Sequence, residues 1–159
     1  MKKYILILAL MMVKVSCFGQ TVEPVNLKLT IYPSSGGEIG YVIEVKDRLL
    51  KVISKELTSE DGKIVLGNTK DIKERKLSNH QLSKIKRHLF ELENLEKKYD
   101  DDVDLILDAW VFDFLINNKK SVKVNSQILD ESSNLKKTRK LIKCLRKLSP
   151  IEIDLRDFS

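Results

Sequence analysis

Apolar and polar residues alternate along the chain from Val25 onward. Residues 25–31 alternate with a period of two, which is typical of a β-strand with one buried face. Residues 39–45 alternate in the same way, and shorter apolar runs occupy residues 49–54 and, after the turn dipeptide Asp61-Gly62, residues 63–67. We therefore predict a meander of three or four antiparallel strands.

A helix is predicted directly after these strands by its start signals. Ser78 and Gln81 have the spacing of a capping box, and Leu77 and Leu82 have that of a hydrophobic staple. Apolar residues then recur at intervals of three and four and form one narrow stripe: Leu82, Ile85, Leu89 and Leu92. We expect this helix to end near residues 97–99.

The second half of the chain predicts a β-hairpin and a second helix. Residues 105–116 are strongly apolar, and Ser121–Asn125 follows as the return strand of the hairpin. Four alternate residues share one face of the first strand: Trp110, Phe112, Phe114 and Ile116. The helix is predicted from Ser132 or Ser133 to Ser149-Pro150, and the alternation of residues 151–155 predicts a short closing edge strand.

Together these elements predict an α+β fold with a mostly antiparallel sheet. Their order is βββ(β)-α-ββ-α-β. Because each helix has a single apolar stripe, we expect both amphipathic helices to pack on one face of the sheet. A chain of 159 residues is long enough for one such domain.

Residues 1–19 have the features of a secretory signal peptide. Lys2 and Lys3 precede the uninterrupted apolar run Tyr4–Val13, whose length of about 15 Å as a helix is only half of a hydrocarbon core of ~30 Å. Cys17 and Gly19 supply small residues at −3 and −1 for cleavage before Gln20. We expect a single mature domain, 20–159, without a transmembrane segment, exported to the periplasm or the extracellular space.

Cys17 supports an alternative localisation. It would be the acylated first residue of a lipoprotein, with Ser16 suitable at −1, but Lys14 stands at −3 where the bacterial motif has an aliphatic residue. Soluble export is therefore the first hypothesis, and an outer-leaflet lipid anchor at Cys17 is the alternative.

Composition excludes several classes of protein. An apolar content of 42% and a charged content of 33% do not fit a disordered acidic tail or a polytopic membrane protein. Two cysteines are too few for a disulfide scaffold or a four-cysteine zinc site. Half of the formal charge of +6 comes from Lys2, Lys3 and Lys14, so positive charge matters locally rather than over the whole domain.

The second predicted helix concentrates its positive charge on one arc. Six cations lie opposite the apolar arc: Lys136, Arg139, Lys140, Lys143, Arg146 and Lys147. We predict this arc as a binding surface for an acidic protein or an anionic component of the envelope. Nucleic acid is not expected as a partner, because no aromatic residues interleave the lysines. A plain solvated helix face is the alternative.

Motifs for catalysis and metal binding are weak, so we expect no catalytic residues, no metal and no cofactor. His80 and His88 lie eight positions apart on the first helix, too far to share a metal ion, and we expect both at the surface. Residues 100–104 place aspartates at every second position, as an EF-hand loop does, but Leu105 stands where that loop needs glycine. We interpret this run as a solvated turn.

Cys144 lies at the border between the apolar and basic arcs of the second helix. Its neighbours Lys140, Lys143 and Lys147 favour a lowered pKa and a reactive thiolate, whereas burial favours an inert thiol, which we expect. If Cys17 leaves with the leader, Cys144 has no partner within the chain. We expect a monomer or a weak dimer, with a Cys144 disulfide as one way to form that dimer.

The first functional hypothesis is an exported, non-catalytic binding module of the bacterial cell envelope, for example an inhibitor or immunity-type protein. One alternative is a small envelope hydrolase that uses Asp108 and Asp113 near Trp110, although a separation of five puts these aspartates on opposite faces of a regular strand. Another is a lipid-anchored accessory subunit held by Cys17.

Overall fold

The computed structural model describes residues 24–33, 38–60, 63–93, 110–125 and 133–155. These residues form six strands and two helices, in the order β1 (Asn26–Tyr32), β2 (Ile39–Lys46), β3 (Leu49–Glu60), β4 (Lys63–Lys76), α1 (Asn79–Glu93), β5 (Val111–Ile116), β6 (Lys120–Asn125) and α2 (Ser133–Leu148). The leader with Cys17, the predicted helix end at 97–99, the aspartates of 100–104 and Asp108 lie outside the described residues.

The six strands form one antiparallel sheet in the order β4-β3-β2-β1-β5-β6. The meander and the hairpin are therefore confirmed, and so is the α+β class. The hairpin joins the meander at β1, where Leu27 lies opposite Ile116 and Leu29 lies opposite Phe114. The first strand of the fold thus occupies the middle of the sheet.

The core is built from alternate residues of the strands together with the apolar stripes of both helices. The sheet contributes Leu29, Phe112 and Phe114, and the helices contribute Ile85 and Leu141, all with no measurable exposure. Burial of these side chains supplies the main favourable free energy of folding. The arrangement of both helices on a single face of the sheet stays a prediction.

Helix α1 begins as its sequence predicts. The backbone N–H of Ser78 donates to Oε1 of Gln81 at 2.8 Å, and the backbone N–H of Gln81 donates to Oγ of Ser78 at 3.2 Å. This reciprocal pair is a capping box, which satisfies two backbone donors at the helix start. Leu77 and Leu82 are both buried in the core, where a hydrophobic staple would place them.

The turn of the β5–β6 hairpin uses asparagines in the left-handed region. Asn117 and Asn118 have φ angles of 52° and 55°, a conformation that asparagine tolerates better than most residues. The backbone N–H of Lys119 donates to the Ile116 carbonyl at 3.0 Å and closes the turn. The N–H of Asn117 also donates to the Asn26 carbonyl at 2.7 Å, which ties this turn to the start of β1.

The lengths predicted for β3 and β4 are wrong. Apolar periodicity predicts them at 49–54 and 63–67, but β3 continues to Glu60 and β4 continues to Lys76. The added part of β4 is polar because this strand lies at the edge of the sheet, so its residues carry little apolar periodicity. The register shifts between Ser54 and Leu57, where β4 contains extra residues that bulge.

The predicted closing strand is also wrong. Residues 151–155 form no strand, although Ile153 and Leu155 are buried and Glu152 is exposed, as the alternation suggested. Alternation correctly identified which side chains enter the core, but pairing of the backbone requires a free sheet edge beside the segment. No helix among the described residues is long and apolar enough to cross a membrane.

Candidate functional site

The predicted basic arc of α2 lies mostly at the surface. Lys136, Lys140, Lys143, Arg146 and Lys147 are exposed, whereas Arg139 is half-buried and contributes less of its side chain to this surface. The opposite arc enters the core with at most 2% exposure at Thr138, Leu141, Ile142 and Leu145. The helix is therefore divided into two faces, as its sequence predicts.

Helix α1 adds two cations to this surface. The helices α1 and α2 contact each other, and Cys144 of α2 lies within the electrostatic influence of Lys84 and Arg87 from α1 and of Lys147 from α2. Positive charge from two elements thus converges around one position of α2. We call the seven exposed cations the two-helix basic surface: Lys84, Arg87, Lys136, Lys140, Lys143, Arg146 and Lys147.

The two-helix basic surface has almost no acidic residue within its own helices. Helix α2 contains no aspartate or glutamate, and those of α1 are Glu91 and Glu93 in its last turn. Arg146 and Lys147 lie in the last turn of α2, where they favourably meet the negative end of the helix dipole. A patch of one sign attracts anionic partners and raises their association rate.

Cys144 is a buried thiol beside this surface. It is 6% exposed, and burial raises the pKa of its thiol, while Lys84, Lys147 and Arg87 act in the opposite direction more weakly. The expectation of a buried thiol is confirmed, and the alternative of a lowered pKa is wrong, because desolvation outweighs the nearby cations. A buried thiol also opposes the hypothesis of a Cys144 disulfide between two molecules.

The two histidines have different environments. His80 is exposed, as predicted, but His88 is only 7% exposed, so its predicted surface position is wrong. His88 extends the buried arc of α1 beyond its leucine stripe, on a helix that also contacts α2. The Nδ1 atom of His88 lies 3.7 Å from Oε2 of Glu91.

Two residues of the hydrolase hypothesis, Trp110 and Asp113, lie within the described part of the chain. Trp110 belongs to the core cluster, whereas Asp113 is half-buried and its neighbours in β5, Phe112 and Phe114, face the core. Asp113 accepts a hydrogen bond from Oγ of Ser121 at 3.4 Å, and together with burial its carboxylate raises the pKa of Tyr32. Trp110, which directly precedes β5, and Asp113 therefore lie on different faces of this segment, while Asp108 lies outside the described residues.

Across the described ranges, no three or more His, Cys, Asp and Glu side chains are grouped so that they could hold a metal ion. The chain matches no protein-family model, no curated protein and no solved structure at a significant level.

Lys84 and Arg87 are the members of the site that sequence reasoning missed. They are separated by three positions on α1 and lie outside its leucine stripe. From the sequence alone, this position shows only that the two side chains do not enter the core. Their relation to Lys147 depends on which helix lies beside which, and a single-helix pattern does not contain that information.

Proposed function

We propose that this chain is an exported, non-catalytic binding module that holds an acidic protein partner through the two-helix basic surface. The observation that carries the proposal is the convergence of exposed cations from α1 and α2 around Cys144, on helices with carboxylates only in the last turn of α1. An inhibitor or immunity-type protein that covers an acidic site on its target is one concrete form of this function.

The form of the surface supports a protein partner over a chemical substrate. The cations lie on the outer arcs of two helices, whose inner arcs are committed to the core. The thiol near Lys84, Arg87 and Lys147 is buried and its pKa is raised, so this position favours binding over nucleophilic attack. Rigid helices also present charges at fixed spacing, which favours a partner with an ordered acidic face.

Charge reversal on α2 tests the proposal. The double substitution Lys140→Glu and Lys143→Glu changes two exposed residues of the surface and keeps a residue type that favours helices. Affinity capture from the envelope fraction at low and high salt should retain an acidic protein with the wild-type chain. Retention should fall with salt and should be lost in the variant.

A matched control separates the surface from overall charge. The substitutions Lys46→Glu and Lys119→Glu change the net charge by the same amount at exposed positions outside both helices. This control should retain the partner as the wild type does. Equal loss of retention in both variants, or capture of no acidic protein at low salt, would contradict the proposal.

We also propose export through the leader, with the periplasm or the extracellular space as the destination. The support is the sequence of residues 1–19, with Lys2 and Lys3 before an apolar run and Gly19 before Gln20. Intact mass of the protein from its own cells should show a chain that begins at Gln20 without fatty acids. A diacylated chain that begins at Cys17 would replace this proposal with the lipid-anchored alternative.

A further inference from the structure

Strand β4 has an outer side that pairs with no other strand in the described part of the chain. It is the first strand in the sheet order and the longest one, with 14 residues. An edge strand presents unpaired backbone N–H and C=O groups, which are a template for pairing with another chain. The side chains along this edge determine which chain can pair there.

The central residues of β4 carry charges that would be complementary between two antiparallel copies of this strand, with each positive side chain opposite a negative one. Lys70, Asp71, Ile72, Lys73 and Glu74 are arranged symmetrically about the isoleucine. In an antiparallel pair of two β4 strands centred on Ile72, Asp71 of each copy lies opposite Lys73 of the other. Lys70 and Glu74 flank these pairs and also carry opposite signs, although the β-bulge at Lys70 leaves only the three central positions in regular pairing.

The isoleucine at the centre is also exposed. Ile72 is 51% exposed and lies opposite Ile53 of β3 within its own sheet. Pairing of two copies would place Ile72 against Ile72 of the second copy, so that an apolar side chain that is now exposed to water becomes partly covered. A two-fold axis at this position gives a closed dimer with the same surface on both subunits.

Neighbouring registers lack this complementarity. A pair centred on Asp71 would bring two aspartates into direct opposition. A pair centred on Lys73 would oppose two lysines and would place Ile72 against Glu74. A register centred between two residues would pair an even-numbered with an odd-numbered position. The side chains of such a pair lie on opposite faces of the sheet, so this register does not give one continuous sheet. The charges of β4 therefore favour the register centred on Ile72 over its immediate neighbours.

We propose that two copies of this chain associate through β4, in the antiparallel register centred on Ile72, and form one sheet across both molecules. Asp71–Lys76 pairs regularly with β3, and the β-bulge lies just before Asp71. The regular contact is therefore short and centred on residues 71–73, so the dimer is weak and reversible. This proposal does not depend on the two-helix basic surface.

Reciprocal charge reversal tests the register with the full chain. Asp71→Lys and Lys73→Asp each change an exposed or half-exposed side chain, and they also break the Lys73–Asp71 ion pair of 3.4 Å within the strand. Each single variant places like charges in opposition at two symmetric positions. Dimer dissociation constants from sedimentation should therefore increase about tenfold or more. The double variant restores opposite signs and should dimerise as the wild type does.

A mixture of the two single variants gives the sharpest readout. Asp71→Lys and Lys73→Asp chains are each weakened alone, but together they form pairs of opposite charge and should associate as a heterodimer. Circular dichroism of each variant checks that the fold is retained. A wild type that stays monomeric at millimolar concentration overturns the proposal. So does a dimer that both single variants leave unchanged, or a mixture that fails to associate.

Discussion

Replacement of Gly40 by alanine tests how closely the side chains of Leu57 in β3 and Leu66 in β4 approach β2. A Cβ atom at Gly40 would overlap Cδ2 of Leu66 and would lie 3.2 Å from Cδ2 of Leu57 and 3.1 Å from the carbonyl oxygen of Ile31. Gly40 does not have a positive φ angle, so alanine is compatible with its backbone. The effect of the substitution is therefore steric.

The magnitude follows from two opposing effects. Overpacking by one methyl group costs about 1–3 kcal/mol in a packed region, while removal of glycine from a strand stabilises by about 0.5–1 kcal/mol. Since the Leu66 methyl can move but the Ile31 carbonyl cannot, we expect a net loss of about 1–2 kcal/mol in the free energy of unfolding. Equilibrium denaturation in urea measures this value.

A double-mutant cycle with Leu66→Ala completes the test. In the Leu66→Ala background the closest obstacle is absent but the Ile31 carbonyl remains, so Gly40→Ala should be less destabilising than in the wild type, and the difference between the two backgrounds measures the coupling. Stabilisation by Gly40→Ala in the wild-type background would refute the reasoning. An identical loss in both backgrounds would refute it as well.

Three other predictions concern single side chains. Ser78→Ala should lower the free energy of unfolding by about 1 kcal/mol in urea denaturation, because it removes the helix cap. Because burial raises the pKa of Cys144, this thiol should react slowly with a thiol reagent at pH 8 in the folded protein and rapidly in urea. Burial and Asp113 raise the pKa of Tyr32 above 10.0 in the folded protein. The contribution of the neutral Tyr32 side chain to stability should therefore be complete below pH 10 and should decrease as the pH rises through the folded-state pKa. Tyr32→Phe should remove that part of the alkaline loss of stability.

The central part of the fold follows from the sequence because burial there has a clear period. In β1 the residues that alternate in sequence also alternate in burial, and Phe112 and Phe114 of β5 enter the core as their pattern predicts. The start of α1 is equally predictable from the sequence, because a capping box is a local signal with a fixed spacing. Local signals of this kind need no knowledge of the rest of the chain.

The edges of the fold do not follow from the sequence in the same way. The polar end of β4 is a strand because β3 pairs with it, and residues 151–155 alternate without forming a strand. In both places backbone pairing depends on which neighbour is available, and side-chain periodicity does not report that. Tertiary context therefore determined the outcome at both edges.

The candidate site was predictable within one helix but not across two. The exposed lysines of α2 follow from its helical period, whereas the position of Lys84 and Arg87 beside Cys144 depends on the packing of α1 against α2. The pKa direction of Cys144 depended on burial as well as on charge. Of the cations that act on this thiol, the sequence identifies Lys147 but not Lys84 or Arg87, and it does not show how far the thiol is desolvated.

The central position of β1 has a consequence for synthesis of the chain. Translation completes β1 to β4 well before β5, yet Leu27 and Leu29 of β1 pair with Ile116 and Phe114. Until the β5–β6 hairpin emerges, β1 is an apolar open edge of an incomplete sheet, and such edges pair readily with other chains. Distant pairing also slows folding. Fragments that end before Val111 should therefore aggregate, and a factor that shields β1 during synthesis or export would protect the chain at its most vulnerable stage.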